Sequence, residues 1–239
     1  MPRLRPLALA ALVLGLTAFA PGDYVVASFS NMSPGGTING WETMSLGDAP
    51  RSNYALVRDG GSTVVKGQAD GSASGLVRRI AIDAARFPVL TWRWKADNVI
   101  AGGDIRRRGG DDYPARIYVT FDYDPGDLSF GDRLKYRALR ALGYDDIPVR
   151  ALSYVWANQS GETAIVPNAF TDWVQMVPVR SGSAGLGEWH TERRDLIRDY
   201  RAAFGEDPPP ISGVAIMTDA DNTGGAATAY FGDIRLTTR

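Results

Sequence analysis

Hydrophobic and polar residues alternate along several short segments of this chain. In the segment from Val89 to Lys95, the side chains of Leu90, Trp92 and Trp94 share one face, and polar side chains occupy the other. The segment from Ala115 to Phe121 repeats the pattern. Alternation with a period of two residues is typical of a β-strand with one buried face. Both segments are therefore predicted to be strands.

Glycine and proline divide the chain into many short segments of this kind. The 27 glycines and 14 prolines are spread along the sequence and are not collected in a linker. The predicted strands are Tyr24 to Phe29, Asn53 to Arg58, Ser62 to Gln68, Gly75 to Ile82, Val89 to Lys95, Ala115 to Phe121, Ala151 to Ala157, Trp173 to Val179, Ile211 to Thr218 and Ala227 to Leu236. Their number and irregular spacing favour an all-β fold, a jelly-roll-like β-sandwich.

Two segments carry a helical pattern instead. Asp132 is a suitable N-cap for a short helix from Arg133 to Leu142, and Thr191 is one for a longer helix from Glu192 to Phe204. A glycine, which readily ends a helix, follows each segment. The sandwich is therefore expected to carry one or two short peripheral helices.

The first of these helices is basic and amphipathic. Leu134, Ala138 and Leu142 lie along one line, with arginine and lysine side chains around them. Such a helix either packs its apolar line on its own domain or lies on an anionic membrane surface. Because the helix is short, we expect it to pack on the domain.

The N-terminal sequence has the parts of a secretory signal peptide. Two arginines precede an apolar run at residues 7–20, which ends in small residues. This run is shorter than the ~20 apolar residues that a transmembrane helix needs. We expect residues 1–20 to be a signal peptide and residues 21–239 to form one domain that is periplasmic or secreted, without a transmembrane span. Cleavage directly before Pro21 is unfavourable, so cleavage after Ala18 and retention as an anchor both stay open.

The composition excludes several classes of function. The chain has no cysteine and one histidine, His190, so zinc binding and cysteine-based catalysis are not expected. No phosphate-binding loop and no Gly-x-Ser-x-Gly motif occurs, and neither a nucleotide nor haem is expected. Loss of the two N-terminal arginines would change the formal net charge from −1 to about −3, which gives no electrostatic reason to bind nucleic acid.

Oxygen-bearing side chains follow the last buried strand. Asp219, Asp221 and Asn222 lie at short spacing before two glycines. Carboxylate and amide oxygens suit a hard cation such as calcium, which takes about 6 to 8 oxygen ligands. The alternative is a turn in which the Asp and Asn side chains accept backbone hydrogen bonds. We expect these three residues to bind either calcium or a polar ligand.

A second polar cluster precedes the strand that ends at Phe121. It contains Asp111, Asp112 and Arg116, next to two glycines that let the backbone approach a ligand closely. These side chains either bridge one another as ion pairs or bind sugar hydroxyls or an anionic group. In the sandwich prediction the two clusters meet on one rim, although they lie far apart in the sequence.

Aromatic residues fall into two groups. Trp92 and Trp94 lie on the apolar face of their strand and are expected in the core. Tyr154 and Trp156 share one face of their strand next to Asn158, and we consider them a candidate platform on which a sugar ring stacks.

Several motifs, taken in order, resemble one protein family. The motifs are Trp92 to Trp94, Arg108 to Val119, Ser153 to Asn158, Ala215 to Gly224 and Gly232 to Ile234. They resemble exported bacterial proteins known as domain of unknown function 3047, a family that implies no established activity. The sequence is also similar to galactose-binding-like jelly-roll modules. That similarity implies glycan binding and a structural calcium near the last strand, for which Asp233 is the candidate ligand.

The leading hypothesis is an exported protein that binds a carbohydrate or another polar envelope component without covalent chemistry. The first alternative is a glycan hydrolase or lyase in which two of Asp112, Asp219 and Asp221 act as general acid and base. The second alternative is an envelope scaffold or interaction protein, which needs no pocket at the rim. The sequence does not decide whether the protein is an enzyme.

Overall fold

The computed structural model describes residues 22–124, 126, 128–141 and 149–239; the predicted signal peptide, Pro21 and Leu142 lie outside them. The described strands are β1 (Tyr24–Ala27), β2 (Glu42–Ser45), β3 (Asn53–Asp59), β4 (Ser62–Asp70), β5 (Ala73–Ile82), β6 (Val89–Ala96), β7 (Arg116–Phe121), β8 (Ala151–Ala157), β9 (Val166–Pro167), β10 (Val174–Ser181), β11 (His190–Asp195), β12 (Ile211–Asp219) and β13 (Ala226–Thr237). The described helices are α1 (Phe130–Ala141) and α2 (Leu196–Phe204).

The strands form two sheets that enclose one core. The six-stranded sheet has the order β11, β6, β13, β4, β3, and β1 also pairs with β13. The seven-stranded sheet has the order β2, β5, β12, β7, β8, β10, β9. Among the described pairs, β8 with β10 is parallel and the others are antiparallel. The chain changes sheet repeatedly, as in a jelly roll. The predicted all-β sandwich with two short helices is confirmed.

The core consists of the apolar strand faces that alternation predicts. Trp92 and Trp94 of β6 are buried against Tyr154 and Trp156 of β8, at ring-centroid distances of 5.3 and 6.2 Å. The core prediction for Trp92 and Trp94 is confirmed. The stacking platform predicted for Tyr154 and Trp156 is wrong, because both side chains are fully buried and offer no ring face to a ligand. Their polar tips are satisfied internally, by Asp199 and by the Gly182 carbonyl.

Helix α1 differs from its prediction at its start and in its packing. Ser129 Oγ accepts the backbone N–H of Asp132 at 3.1 Å and donates to the Asp132 carboxylate at 2.7 Å. Ser129, and not Asp132, therefore caps the helix. The expected packing of the apolar line is also wrong, because Leu134 is 62% exposed and Ala138 is exposed as well.

Helix α2 begins at Leu196, later than predicted. The residues before it form β11, which pairs with β6 and places Glu192 opposite Trp92. Pairing with the sheet edge gives this segment backbone partners, and this overrides its helical propensity. The predicted Thr191 cap is wrong, since the Asp195 side chain accepts the Arg198 N–H at 3.0 Å and takes that role.

Candidate functional site

A groove crosses the face of the seven-stranded sheet that points away from the core. Tyr118 and Thr120 of β7 lie opposite Ala215 and Gly213 of β12 in its floor, and Val77 of β5 flanks Ala215. The groove is a cavity of about 720 Å³, which we name the outer groove. Its walls and ends include Met44, Arg79, Arg108, Asp111, Arg116, Lys135, Asn168, Phe170, Asp219, Asp221 and Asn222.

Small residues in the floor of the outer groove leave its volume open. A Cβ atom added to Gly213 would lie 2.9 Å from Thr120 Oγ1, which is closer than a normal contact. On the other face of the same strand, Val214 and Ile216 are buried in the core. Strand β12 is therefore apolar at nearly every position because it covers the core on one side and lines the groove on the other.

A buried ion pair closes one end of the outer groove. Arg116 Nε donates to Asp219 Oδ1 at 2.8 Å, and Nη2 donates to the second Asp219 oxygen and to the carbonyl of Asp111. Nη1 donates to the Tyr118 hydroxyl at 2.9 Å. Burial alone would lower the pKa of Arg116, but Asp219 raises it well above its ordinary value. The guanidinium therefore stays charged and holds this end of the groove in place.

Asp112 joins the two polar clusters. Its carboxylate accepts the backbone N–H groups of Asn222, at 3.1 Å, and Thr223, at 2.6 Å. The Asn158 side chain reinforces the junction, because its Nδ2 donates to the Asp112 carbonyl at 2.6 Å while its Oδ1 accepts the Ile100 N–H at 2.7 Å. The two clusters thus meet on one rim, and we refer to Asp111, Asp112, Arg116, Asp219, Asp221 and Asn222 together as the polar end.

Asp111 and Asp221 are the other two acids of the polar end. Asp111 Oδ2 accepts from the Asn168 amide at 2.9 Å. Its Oδ1 lies 3.7 Å from Arg116 Nη1 and has no hydrogen-bond partner among the described residues. Burial raises the pKa of Asp111 against the pull of Arg116, and burial followed by the charge of Asp112 raises the pKa of the partly exposed Asp221. Both side chains line the outer groove, and Asp221 is the more exposed of the two.

Three carboxylates of the polar end lie close together, as the ligands of a calcium ion would. Oxygen atoms of Asp112, Asp219 and Asp221 lie within 4.8 Å of one another. However, Asp112 already accepts two backbone N–H groups, and the guanidinium of Arg116 supplies positive charge at Asp219. Donors of the protein itself therefore already occupy these carboxylate oxygens, whereas a calcium ion needs about 6 to 8 oxygen ligands. Calcium binding by Asp219, Asp221 and Asn222 stays a prediction.

Asp233, the other predicted calcium ligand, lies on β13 in the six-stranded sheet. Its carboxylate accepts the backbone N–H of Ser30 at 2.9 Å and the Ser30 hydroxyl at 2.6 Å. Asp233 is therefore not part of the polar end, and a calcium role for it stays a separate prediction.

The outer-groove residues that the sequence patterns do not identify as ligand contacts include Tyr118, Asn168 and Phe170. For Tyr118 a signal exists, because alternation in β7 places it on the same outward face as Arg116. For Phe170 there is none, since it lies in a loop whose course no local pattern predicts. Phe170 is 47% exposed, and the Arg108 guanidinium lies 5.5 Å from the centre of its ring.

The site lies within a segment of the chain that matches the model of one protein family. The model of the family described as "Protein of unknown function (DUF3047)" matches residues 39–235. The chain belongs to the DUF3047 family. The resemblance inferred from the motifs is confirmed, and every groove residue of this DUF3047 protein lies inside the matched range. A search among curated proteins gave no match.

Solved structures similar to this DUF3047 protein include two carbohydrate-binding modules. The family 11 module from Clostridium thermocellum, in complex with a beta-1,3-1,4-mixed-linked tetrasaccharide, aligns with a TM-score of 0.44 and 10% identity over 92% of this chain and 97% of that chain. The family 30 module of a cellulosomal cellulase from Clostridium thermocellum aligns with a TM-score of 0.40 and 14% identity, over 91% and 98% of the two chains. At these values the likeness carries no inference about a ligand.

Proposed function

We propose that this protein binds a carbohydrate, or another polyhydroxylated component of the cell envelope, non-covalently in the outer groove. The observation that carries the proposal is a cavity of about 720 Å³ that combines aromatic surface with hydrogen-bonding groups. Sugars present apolar ring faces edged by hydroxyl groups, so a sugar site needs both. The volume is within the roughly 300–1,000 Å³ typical of ligand cavities.

Two aromatic rings supply the apolar surface. Tyr118 is half-buried in the floor, and Phe170 is 47% exposed in the wall. Amphipathic aromatic rings suit a ligand that is apolar on one side and polar on the other. These two residues, and not the buried Tyr154 and Trp156, offer aromatic surface to a ligand.

The polar end supplies the hydrogen bonds. Asp111 Oδ1 is a buried acceptor without a hydrogen-bond partner among the described residues, and such a group costs free energy until it is satisfied. A small shift of the Asp111 side chain would bring this oxygen to the outer groove that the residue lines, where a sugar hydroxyl would donate to it. Asn168, Asp221 and Asn222 border the same cavity and offer further donors and acceptors. Arg116 and Asp219 mainly hold these groups in position.

A glycan array of envelope and plant oligosaccharides, followed by calorimetry on each hit, tests the proposal with the purified mature protein. Phe170→Ala removes exposed aromatic surface, so we expect it to weaken binding about tenfold. Phe130→Ala is the matched control, because Phe130 is 83% exposed and does not line the groove. An array without hits overturns the proposal, as does a hit that both Phe170→Ala and Asp111→Asn bind as tightly as the unmodified protein.

Turnover of a bound glycan is the second candidate function, and it has one observation in its favour: three carboxylates lie close together. Asp112 and Asp219 are buried and bonded to backbone N–H groups and to Arg116, so Asp221 is the one of the three that is partly exposed. This arrangement favours binding over acid–base catalysis. Release of new reducing ends from a hit, abolished by Asp221→Asn, would establish a glycan-cleaving enzyme, and an unsaturated sugar among the products would identify it as a lyase rather than a hydrolase. The scaffold alternative predicts no pocket at this rim, whereas the described residues form one.

The cellular location of the protein is a further part of the proposal. We place the protein in the periplasm or outside the cell on the basis of the sequence of residues 1–20. None of the helices that the structure describes combines the length and the hydropathy of a membrane-spanning segment. Cell fractionation tests the placement: a chain in which a single methionine replaces residues 1–20 should remain in the cytoplasm, and equal export of both chains contradicts it.

Calcium is tested independently of the glycan. Thermal unfolding of the mature protein is measured in EDTA and then with added calcium. A rise in Tm that Asp221→Asn removes supports a calcium site at the polar end. No change in Tm shows that the acidic group is held by its protein donors alone.

A further inference from the structure

Helix α1 turns two large apolar side chains towards solvent. Phe130 is 83% exposed and Leu134 is 62% exposed. Together with Phe170 they are the exposed large hydrophobic residues of the described chain, and two of these three therefore lie on one short helix. An amphipathic helix normally buries such residues against its own domain.

The opposite side of α1 is the one that packs on the domain. The ring of Tyr136 lies 6.1 Å from that of Trp173, and Lys135 Nζ lies 5.0 Å from the centre of the Trp173 ring. Lys135 also borders the outer groove. The exposure of Phe130 and Leu134 is thus set by how the helix is anchored, because Tyr136 and Lys135 fix which side faces inward.

Arginines surround the exposed apolar pair. At about 3.6 residues per turn, Arg137 follows Phe130 and Leu134 along the outward side, and Arg133 lies beside them. Both arginines are exposed. The single acidic residue of α1, Asp132, is bonded to Ser129 at the start of the helix. We name Phe130, Arg133, Leu134 and Arg137 the α1 outer face.

We propose that the α1 outer face binds the surface of a bilayer that contains anionic phospholipid. Phe130 and Leu134 would enter the headgroup region, and Arg133 and Arg137 would pair with lipid phosphates. The charge of the face selects this occupant. In a symmetric dimer through α1, the same arginines of two copies would be brought together, and like charges repel. Since Lys135 lies on the other side of the helix, bilayer contact leaves the outer groove open to its ligand.

Co-sedimentation with vesicles tests the proposal on the mature protein. We expect binding to vesicles of equal parts phosphatidylcholine and phosphatidylglycerol, none to phosphatidylcholine alone, and weaker binding as salt is raised. Phe130→Ser/Leu134→Ser should weaken binding at least about tenfold through lost apolar insertion, and Arg133→Gln/Arg137→Gln by a similar factor through lost charge. The matched control, Arg193→Gln/Arg198→Gln, removes the same charge from two exposed arginines elsewhere and should bind like the unmodified protein.

Each variant changes exposed side chains, so an unchanged Tm is expected and verifies that the fold is intact. The proposal is overturned if the unmodified protein does not bind the anionic vesicles, or if the α1 variants bind them as well as the control does. Light scattering distinguishes the competing occupant: a dimer that Phe130→Ser/Leu134→Ser dissociates would assign the α1 outer face to a second copy. Failure here leaves the glycan proposal unaffected, because Phe170 and Asp111 carry that test.

Discussion

Arg116 connects three parts of the polar end, because it bonds the carboxylate of Asp219, the carbonyl of Asp111 and the hydroxyl of Tyr118. Methionine at this position would leave Asp219 buried without its cation. We expect Arg116→Met to lower the free energy of unfolding by about 3–5 kcal/mol. Urea unfolding followed by tryptophan fluorescence measures the loss.

The double variant Arg116→Met/Asp219→Leu is the control for this pair. It leaves no buried charge unpaired, so it should be more stable than Arg116→Met alone. If the double variant is no more stable than the single one, the loss comes from packing and the electrostatic explanation fails.

Asp221 gives the polar end a pH dependence. Burial and the charge of Asp112 raise its pKa above the ordinary 3.8, so the folded protein holds this proton more tightly than the unfolded chain does. The ionised form therefore opposes folding, and stability is lost as the pH rises from the ordinary pKa through the raised one. We expect Asp221→Asn to increase Tm by about 1–4 °C at neutral pH, and the increase to disappear at about pH 3.

Asp207→Asn is the control, and its change in Tm should have the opposite sign. A hydrogen bond from Arg201 lowers the pKa of Asp207, so its ionised form favours folding. Asp207→Asn should slightly decrease Tm at neutral pH. Differential scanning fluorimetry across a pH series records both variants, and a pH-independent effect of Asp221→Asn would contradict the assignment.

At the scale of elements, one residue both ends strand β11 and caps helix α2. Asp195 is the last residue of β11 and accepts the Arg198 N–H at 3.0 Å. Asp195→Ala should lower the free energy of unfolding by about 1 kcal/mol through loss of the cap. Asp195→Asn keeps an acceptor and should lose clearly less, even though its ion pair with Arg239 is gone. Equal losses in chemical denaturation would show that the ion pair, and not the cap, stabilises this end of α2.

Sequence patterns predict which residues of a strand share a face, but not which face another element covers. Alternation correctly grouped Tyr154 with Trp156 and Arg116 with Tyr118. The second sheet then buries the first pair, while the second pair lines the outer groove. The polar end was easier to locate, because acidic residues that directly follow or precede a buried strand must emerge at its rim. The short strands β2, β9 and β11 escaped prediction because their partners, rather than their own residues, define them.

At the scale of the whole molecule, strand number and spacing predicted the sandwich, and the order of strands within each sheet was out of reach. That order depends on pairings between segments far apart in the chain, such as Tyr24 with Leu236 in β1 and β13. Local propensity contains no information on such pairings. The outer groove has the same limit, since its floor combines three strands and its walls combine further elements that lie far apart in the chain.

Strand β13 pairs with β1, β4 and β6, and it follows all three in the chain. During synthesis, β1, β4 and β6 therefore leave the ribosome before β13, the strand with which all three pair. The six-stranded sheet cannot be completed until residues 226–237 have been synthesised. Until then, the core tryptophans of β6 lack one of the strands that flank β6 in the finished sheet. Under the export that we propose, this order of synthesis delays completion of the sandwich until β13 is made, which favours passage through a translocation channel of a chain that has not yet completed its fold.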